Sequence, residues 1–334
     1  MIKLYSIILI LLFANSCAPP QYIEAYNGHS SEGFHSRGLA INDSILYVSG
    51  AKGRVTVFNI NSKVVIDSFS VPANDLRGIK YLNDNSLLLM NSGDDGIVYK
   101  YSFDKKVADA KLFVPGAFFD AISINQFGHG FVMGDPMKGR FTLYRTLDYG
   151  NSWEALDSND LPMPLKNEAG FAASNSGISQ NNETIGFVTG ASDTSRFIRS
   201  MNGGSDWIAI NTPMKSGKSF GIYSSSFWNE AEGVIAGGSY VEKEYSDSVV
   251  FITADGGKTW ANISLGLPGY ISCIQSIYNG KLLVATGRLG AYYSINKGKK
   301  WLKLTKQPFY TALIQGDQII LSGQNGTLSV FHIK

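Results

Sequence analysis

Three carboxylates, two tyrosines and one arginine are the residues of this sequence whose types could act on a ligand. They are Asp120, Asp135, Glu168, Tyr223, Tyr240 and Arg288. A pair of carboxylates can hydrolyse a glycosidic bond, with the two groups about 5 Å apart for retention or about 6.5–9.5 Å apart for inversion. Because these residues lie far apart in the chain, only the fold can bring them together, and the fold has to be predicted first.

Four short segments share the pattern Ser/Thr-x-Asp/Asn-x-Gly-x-x-Trp. They begin at residues 146, 200, 253 and 294 and read TLDYGNSW, SMNGGSDW, TADGGKTW and SINKGKKW. Recurrence at intervals of roughly 40 to 55 residues indicates stacked or radially arranged repeat units.

Each segment has the composition of a β-hairpin turn. An Asp or Asn accepts hydrogen bonds from nearby backbone N–H groups, the Gly adopts a positive φ, and the Trp begins the next strand and packs between units. The alternative is that Asp255 is a catalytic residue, but the occurrence of the same pattern in four segments favours a structural role. The residues with this structural role are Asp148 and Trp153, Asn202 and Trp207, Asp255 and Trp260, and Asn296 and Trp301.

The pattern resembles the Asp-box, or BNR repeat, of sialidases, sortilin-type receptors and the photosystem II assembly-factor family. In those families the box lies on an outer turn of a β-propeller blade, remote from the central site. The stretches FFDAISINQFGHGFVMGDP and GIYSSSFWNEAEGVIAGGSY resemble exported bacterial members of the assembly-factor type, especially Bacteroidetes lipoproteins, which are often labelled oxidoreductase or glycosyl hydrolase. This resemblance implies a scaffold or chaperone-like role at most.

The rest of the chain reads as further blades. Runs rich in Val, Ile, Tyr and Phe, separated by turn residues, predict four strands per unit, and the first two units begin at the matching pairs Arg37-Gly38 and Arg77-Gly78. The last unit supplies only three strands, so we expect QYIEAY near the N-terminus to add the fourth and close the ring. The prediction is an all-β fold, a single seven-bladed β-propeller over residues 18–334, with six or eight blades as the alternatives.

Residues 1–17 have the composition of a signal peptide. Lys3 precedes an apolar run that is too short to span a bilayer, and Cys17 follows small and polar residues. The position of Cys17 resembles the lipobox of bacterial lipoproteins, which implies lipidation of Cys17, although ordinary signal-peptidase cleavage is the alternative. We therefore expect an exported protein attached to the membrane through a lipid anchor, facing the periplasm or at the cell surface.

Charge and composition exclude several classes of function. The net charge of +2 gives no field that would attract nucleic acid, and four scattered His and two Cys predict no metal site and no cofactor. The sequence also lacks the Arg-Ile-Pro stretch of sialidases.

Two hypotheses remain. The first is a protein-binding or assembly scaffold for an unidentified envelope protein or complex, without catalysis of its own. The second is a glycan-binding protein or glycoside hydrolase that uses a central funnel lined by the six residues named at the outset. The alternative to the second hypothesis is that the three acids accept hydrogen bonds from backbone N–H groups in turns.

Overall fold

A computed structural model describes residues 21–30, 33–157 and 159–333, with only the backbone of Ile333. These residues form seven four-stranded antiparallel sheets. The innermost strands of successive sheets contact one another around a closed ring, in which the last contacts the first. The predicted all-β, seven-bladed β-propeller is therefore confirmed.

The first three blades follow one another along the chain. Blade 1 contains β2 (Ser36–Asn42), β3 (Ile45–Gly50), β4 (Arg54–Asn59) and β5 (Val64–Ser70). Blade 2 contains β6 (Leu76–Leu82), β7 (Ser86–Asn91), β8 (Gly96–Ser102) and β9 (Val107–Val114). Blade 3 contains β10 (Phe119–Ile124), β11 (Gly130–Met137), β12 (Arg140–Thr146) and β13 (Glu154–Ala155).

Three further blades repeat the order from inner to outer strand. Blade 4 contains β14 (Ile178–Asn181), β15 (Thr184–Val188), β16 (Arg196–Ser200) and β17 (Ile208–Asn211). Blade 5 contains β18 (Phe220–Phe227), β19 (Gly233–Ser239), β20 (Val250–Thr253) and β21 (Ala261–Asn262). Blade 6 contains β22 (Cys273–Ile277), β23 (Leu282–Gly287), β24 (Gly290–Ser294) and β25 (Leu302–Thr305).

Blade 7 joins the two ends of the described chain. It contains β26 (Thr311–Gln315), β27 (Gln318–Ser322), β28 (Thr327–Ile333) and, as its outermost strand, β1 (Tyr22–His29). A single turn of 3-10 helix, Gln324–Gly326, precedes β28. Strand β1 runs antiparallel to β28, with Tyr22 opposite Ile333 and His29 opposite Thr327. The prediction that an N-terminal strand closes the ring is confirmed.

The alternation of strand direction gives the propeller two distinct faces. The inner strand of each blade begins at one face, and the second strand ends at that same face, which we call the mouth face. The turns between third and fourth strands lie at the other, which we call the Asp-box face. Hydrophobic clusters fill the space between blades, such as the one in which Leu46 and Val48 of blade 1 pack with Ile320 and Leu328 of blade 7.

The four Asp-boxes form the turns between the third and fourth strands of blades 3 to 6. In blade 5, Asp255 accepts hydrogen bonds from the Thr253 hydroxyl at 2.9 Å, from Thr259 N–H at 2.9 Å and from the Thr259 hydroxyl at 2.6 Å. Gly257 has φ +87°, which favours glycine. Asp148, Asn202 and Asn296 accept the equivalent backbone N–H at 2.9–3.0 Å.

The Asp-box tryptophans pack at the seams between blades. Trp207 of blade 4 lies edge-on to Phe131 of blade 3, and Trp260 of blade 5 lies edge-on to Phe197 of blade 4. In blade 6, Trp301 donates from Nε1 to the Ile263 carbonyl at 2.7 Å, and in blade 3 Trp153 packs against a cluster shared with blade 2. The boxes therefore tie each blade to the one before it.

Within the described residues, no helix is long and apolar enough to cross a membrane. Cys17 and the predicted signal peptide lie outside the described residues.

Candidate functional site

An open cavity of about 250 Å³ lies on the propeller axis at the mouth face. Residues before or at the start of inner strands, and residues of the loops between second and third strands, form its wall. Six blades or their connecting segments contribute to it. The polar and aromatic part of the wall consists of Arg37, Arg77, Phe171, Tyr223, Tyr240, Tyr270, Arg288 and Tyr310.

Two arginines from neighbouring blades are held side by side in this cavity. Arg37 begins blade 1 and donates from Nη1 to the Ala173 carbonyl at 3.3 Å. Arg77 occupies the matching position of blade 2 and donates from Nη1 to the Ala172 carbonyl at 3.1 Å. Burial and the positive charge of Arg77 lower the pKa of Arg37. Both guanidinium groups are anchored to one short segment, and the Asp75 carboxylate pairs with Arg77 alone, at 2.7 Å.

Aromatic side chains form another part of the wall. Tyr223 stacks on Phe171 with ring centroids 3.9 Å apart and meets Tyr270 edge-on at 4.8 Å. Burial raises the pKa of Tyr223 and of Tyr270, so both hydroxyls stay protonated near neutral pH. The Tyr223 hydroxyl donates to the Ser219 carbonyl at 2.8 Å. Tyr240 and Arg288 lie exposed at the rim.

The structure places Asp120 and Asp135 behind the cavity wall, in contact with each other. Asp120 is buried in β10, and burial, followed by the nearby Asp135 carboxylate, raises the pKa of Asp120 well above its ordinary value. Asp135 accepts a hydrogen bond from Gly170 N–H at 2.9 Å. Burial also raises the pKa of Asp135. Both Asp120 oxygens are buried without a hydrogen-bond partner among the described residues, so burial and the neighbouring carboxyl favour the protonated form of Asp120.

Glu168 is bound within the protein and does not line the cavity. Its carboxylate pairs with Arg196 through Nε at 2.8 Å and through Nη2. It also accepts hydrogen bonds from the Thr189 hydroxyl at 2.6 Å and from Leu165 N–H at 2.7 Å. These four donors occupy both oxygens, so Glu168 fixes the long connection between blades 3 and 4.

The residues predicted for a central funnel therefore separate into two groups. Tyr223, Tyr240 and Arg288 line the cavity, whereas the three acids lie outside its wall. Sequence reasoning missed Arg37, Arg77, Tyr270 and Tyr310. The sequence does indicate that the two arginines occupy equivalent positions, because the pairs Arg37-Gly38 and Arg77-Gly78 begin successive blades. That match aligned the repeats but did not identify the arginines as cavity residues.

The cavity offers cationic and neutral hydrogen-bond donors. Among the described residues, no group of three or more His, Cys, Asp or Glu side chains could hold a metal ion. The chemistry available at the wall is therefore recognition of a negatively charged or aromatic group by guanidinium, hydroxyl and ring faces.

Comparison with known proteins agrees with this fold. The family "Photosynthesis system II assembly factor YCF48" matches residues 166–323, which extend from the connection before blade 4 into blade 7. Among solved structures, the crystal structure of RRP9 WD40 repeats has a TM-score of 0.67 and 11% identity, and the match covers 95% of this chain and 100% of that chain. At this identity the likeness shows the fold alone. No curated protein matches the sequence.

The chain is thus a seven-bladed β-propeller that, over residues 166–323, is similar to the photosystem II assembly-factor family.

Proposed function

We propose that this protein is an exported, lipid-anchored scaffold of the cell envelope that binds a protein partner through its mouth face. Similarity to an assembly-factor family over residues 166–323 supports an assembly role. The lipobox-like position of Cys17 supports export and anchoring. The partner is an envelope protein or complex.

One observation carries the proposal, namely the composition of the mouth. Arg37, Arg77 and Arg288 converge there with four tyrosines, and the neighbouring loop exposes Tyr240 and Val241, which are 45% and 66% accessible. Arginine and tyrosine are enriched among the residues that dominate protein interfaces. A concave basic centre with an exposed aromatic and apolar rim suits a docking surface.

The positions of the three acids support binding over hydrolysis of a glycoside. Such a reaction needs two carboxylates beside the scissile bond, and Asp120, Asp135 and Glu168 all lie outside the cavity wall. We therefore propose a role in binding, without catalysis by these acids.

Glycan binding is a second candidate, which one observation favours. Phe171, Tyr223 and Tyr270 form a contiguous aromatic cluster in the wall, and aromatic side chains in a cavity wall can pack against the apolar face of a sugar ring. Titration of neutral mono- and disaccharides against the purified protein tests it. Saturable binding that Tyr223→Ala abolishes would favour this candidate over a protein partner.

Crosslinking and pull-down from native membranes tests the scaffold role. The intact protein should capture a defined partner, and Arg288→Glu should abolish capture by reversing a charge at the rim. Arg145→Glu is the matched control, because Arg145 pairs with Glu154 on the outer strands of blade 3, away from the mouth. Capture that survives Arg288→Glu and Arg77→Glu, both folded, would exclude docking through this face.

Membrane fractionation tests the lipid anchor. Cys17→Ala should move the protein from the membrane fraction to the soluble fraction while purified samples retain partner binding. A Cys17→Ala variant that stays in the membrane fraction after a salt wash would contradict lipid anchoring at this residue.

A further inference from the structure

The axial cavity concentrates positive charge. Three arginines line it and no carboxylate does. Asp75 pairs with Arg77 at 2.7 Å. Arg37 and Arg288 have no ion-pair partner in the described part of the chain, and the nearby Asp75 charge offsets only part of the effect of burial and of Arg77, which lower the pKa of Arg37. Like charges held together in a partly desolvated site repel each other, and a bound anion would offset that repulsion.

The arginines are already ordered for binding. The carbonyls that accept from Arg37 and Arg77 belong to consecutive residues, which fixes the two guanidinium groups next to each other. The Arg37 guanidinium also lies over the Tyr310 ring, 4.4 Å from its centroid, and its buried Nε has no hydrogen-bond partner among the described residues. Preordered side chains lose little entropy when a ligand binds.

The remaining wall limits the kind of anion. At about 250 Å³ the cavity is smaller than typical drug-sized pockets of roughly 300–1,000 Å³, so it accepts a small molecule or the end group of a chain. The backbone atoms that approach the arginines are the carbonyls of Ala172 and Ala173. Arginine forks bind phosphate as well as carboxylate, but many phosphate sites add clustered backbone N–H groups or helix N-termini to them. The aromatic rings beside the arginines favour a carboxylate that is attached to an apolar body. A planar carboxylate matches the guanidinium fork bidentately.

From this geometry we infer that the cavity is a receptor site for a single carboxylate on a small, partly apolar body. Arg37 and Arg77 bind the carboxylate, Arg288 closes over it from the rim, and the Tyr223 and Tyr270 rings pack against the body. The carboxylate comes either from a free small acid or from the C-terminus of a polypeptide. The second source rests on the proposed docking of a protein partner at the mouth.

Isothermal titration calorimetry with defined probes tests the inference. The probes are sodium benzoate, the tripeptide Gly-Gly-Tyr with a free carboxylate, the same tripeptide as its C-terminal amide, and inorganic phosphate. Saturable binding of either carboxylate, with no binding of the amide, is expected. Tighter binding of benzoate identifies a free acid as the source, and tighter binding of the tripeptide identifies a chain terminus.

Three variants make the result specific to the cavity. Arg37→Gln should weaken carboxylate binding by about 10- to 100-fold, the range for loss of a charge-assisted hydrogen-bond pair. Arg288→Gln, at an exposed position of the rim, should also weaken carboxylate binding, so it keeps the test valid if Arg37→Gln fails to fold. Arg145→Gln, which removes the same charge outside the cavity, should bind as the wild type does.

Two outcomes would overturn the inference. One is absence of carboxylate binding up to about 10 mM, a concentration that detects affinities near 1 mM. The other is phosphate or amide binding as tight as carboxylate binding. If carboxylates fail to bind but partner capture still depends on Arg288, the receptor site is wrong and the scaffold role stands. If carboxylates bind but partner capture is unchanged in Arg288→Glu and Arg77→Glu, the scaffold role is wrong and the receptor site stands.

Discussion

Replacing Glu168 by glutamine is expected to lower the free energy of unfolding by about 3–5 kcal/mol, the usual effect of breaking a buried ion pair. Glu168 is 4% and Arg196 is 6% accessible, so solvent cannot replace the lost charge. The glutamine oxygen can still accept from Thr189 and from Arg196 Nε. Its amide group, however, would face two other donors, Leu165 N–H and Arg196 Nη2.

Equilibrium urea unfolding, followed by tryptophan fluorescence, measures this change. Glu154→Gln is the matched control, because it breaks the Arg145 pair, whose Glu154 side chain is 58% exposed. Exposed pairs contribute about 0–1 kcal/mol, so the control should stay close to the wild type. The double variant Glu168→Leu/Arg196→Met should recover much of the loss, since it leaves no unpaired buried charge.

Equal effects of Glu168→Gln and Glu154→Gln would refute this account of the buried pair. A large change in ligand binding without a change in stability would refute it in a different way, because it would give Glu168 a role at the cavity.

Three further predictions concern pH, the Asp-box and ring closure. Burial raises the pKa of Asp120 and of Asp135, so the folded state binds more protons than the unfolded state above about pH 4 and wild-type stability should fall as pH rises. Asp120→Asn should reduce that slope in melting temperatures measured from pH 4 to 9, and parallel curves would contradict it. Hydrogen bonds from Thr259 lower the pKa of Asp255 to about 2, so Asp255→Ala should lower the melting temperature at pH 7 but not benzoate affinity, and the reverse result would contradict a structural role. Deletion of Tyr22–His29 should expose the edge of β28 and produce oligomers in size-exclusion chromatography; a monomer with unchanged melting temperature would show that closure is dispensable.

Local sequence patterns were sufficient to predict the fold. The Asp-box turn depends on a few neighbouring residues, such as Asp255 and Gly257, and the tryptophan that follows it packs at a seam. Its four occurrences therefore mark blades 3 to 6. The remaining blades follow from strand-like runs of similar length, and the three-stranded last unit required a strand from elsewhere in the chain.

The cavity could be predicted only in part, because its residues come from six blades or connections. Arg37 and Tyr310 lie far apart in sequence and meet only when the ring closes. The acids show the opposite difficulty. The sequence does not show which groups surround a carboxylate. In the structure Asp120 is buried beside Asp135, and Glu168 pairs with Arg196.

The direction of β1 has a consequence for how the protein is oriented at a membrane. Tyr22 lies at the Asp-box face, since it pairs with Ile333 at the end of β28, and His29 lies at the mouth face. If Cys17 carries the lipid, the five residues from there to Tyr22 reach at most about 18 Å. The tether would then leave from the rim of blade 7 on the side opposite the cavity. A lipid at Cys17 would then attach nearer to the Asp-box turns than to the arginine-lined opening, which would leave that opening accessible to molecules that diffuse in the aqueous compartment.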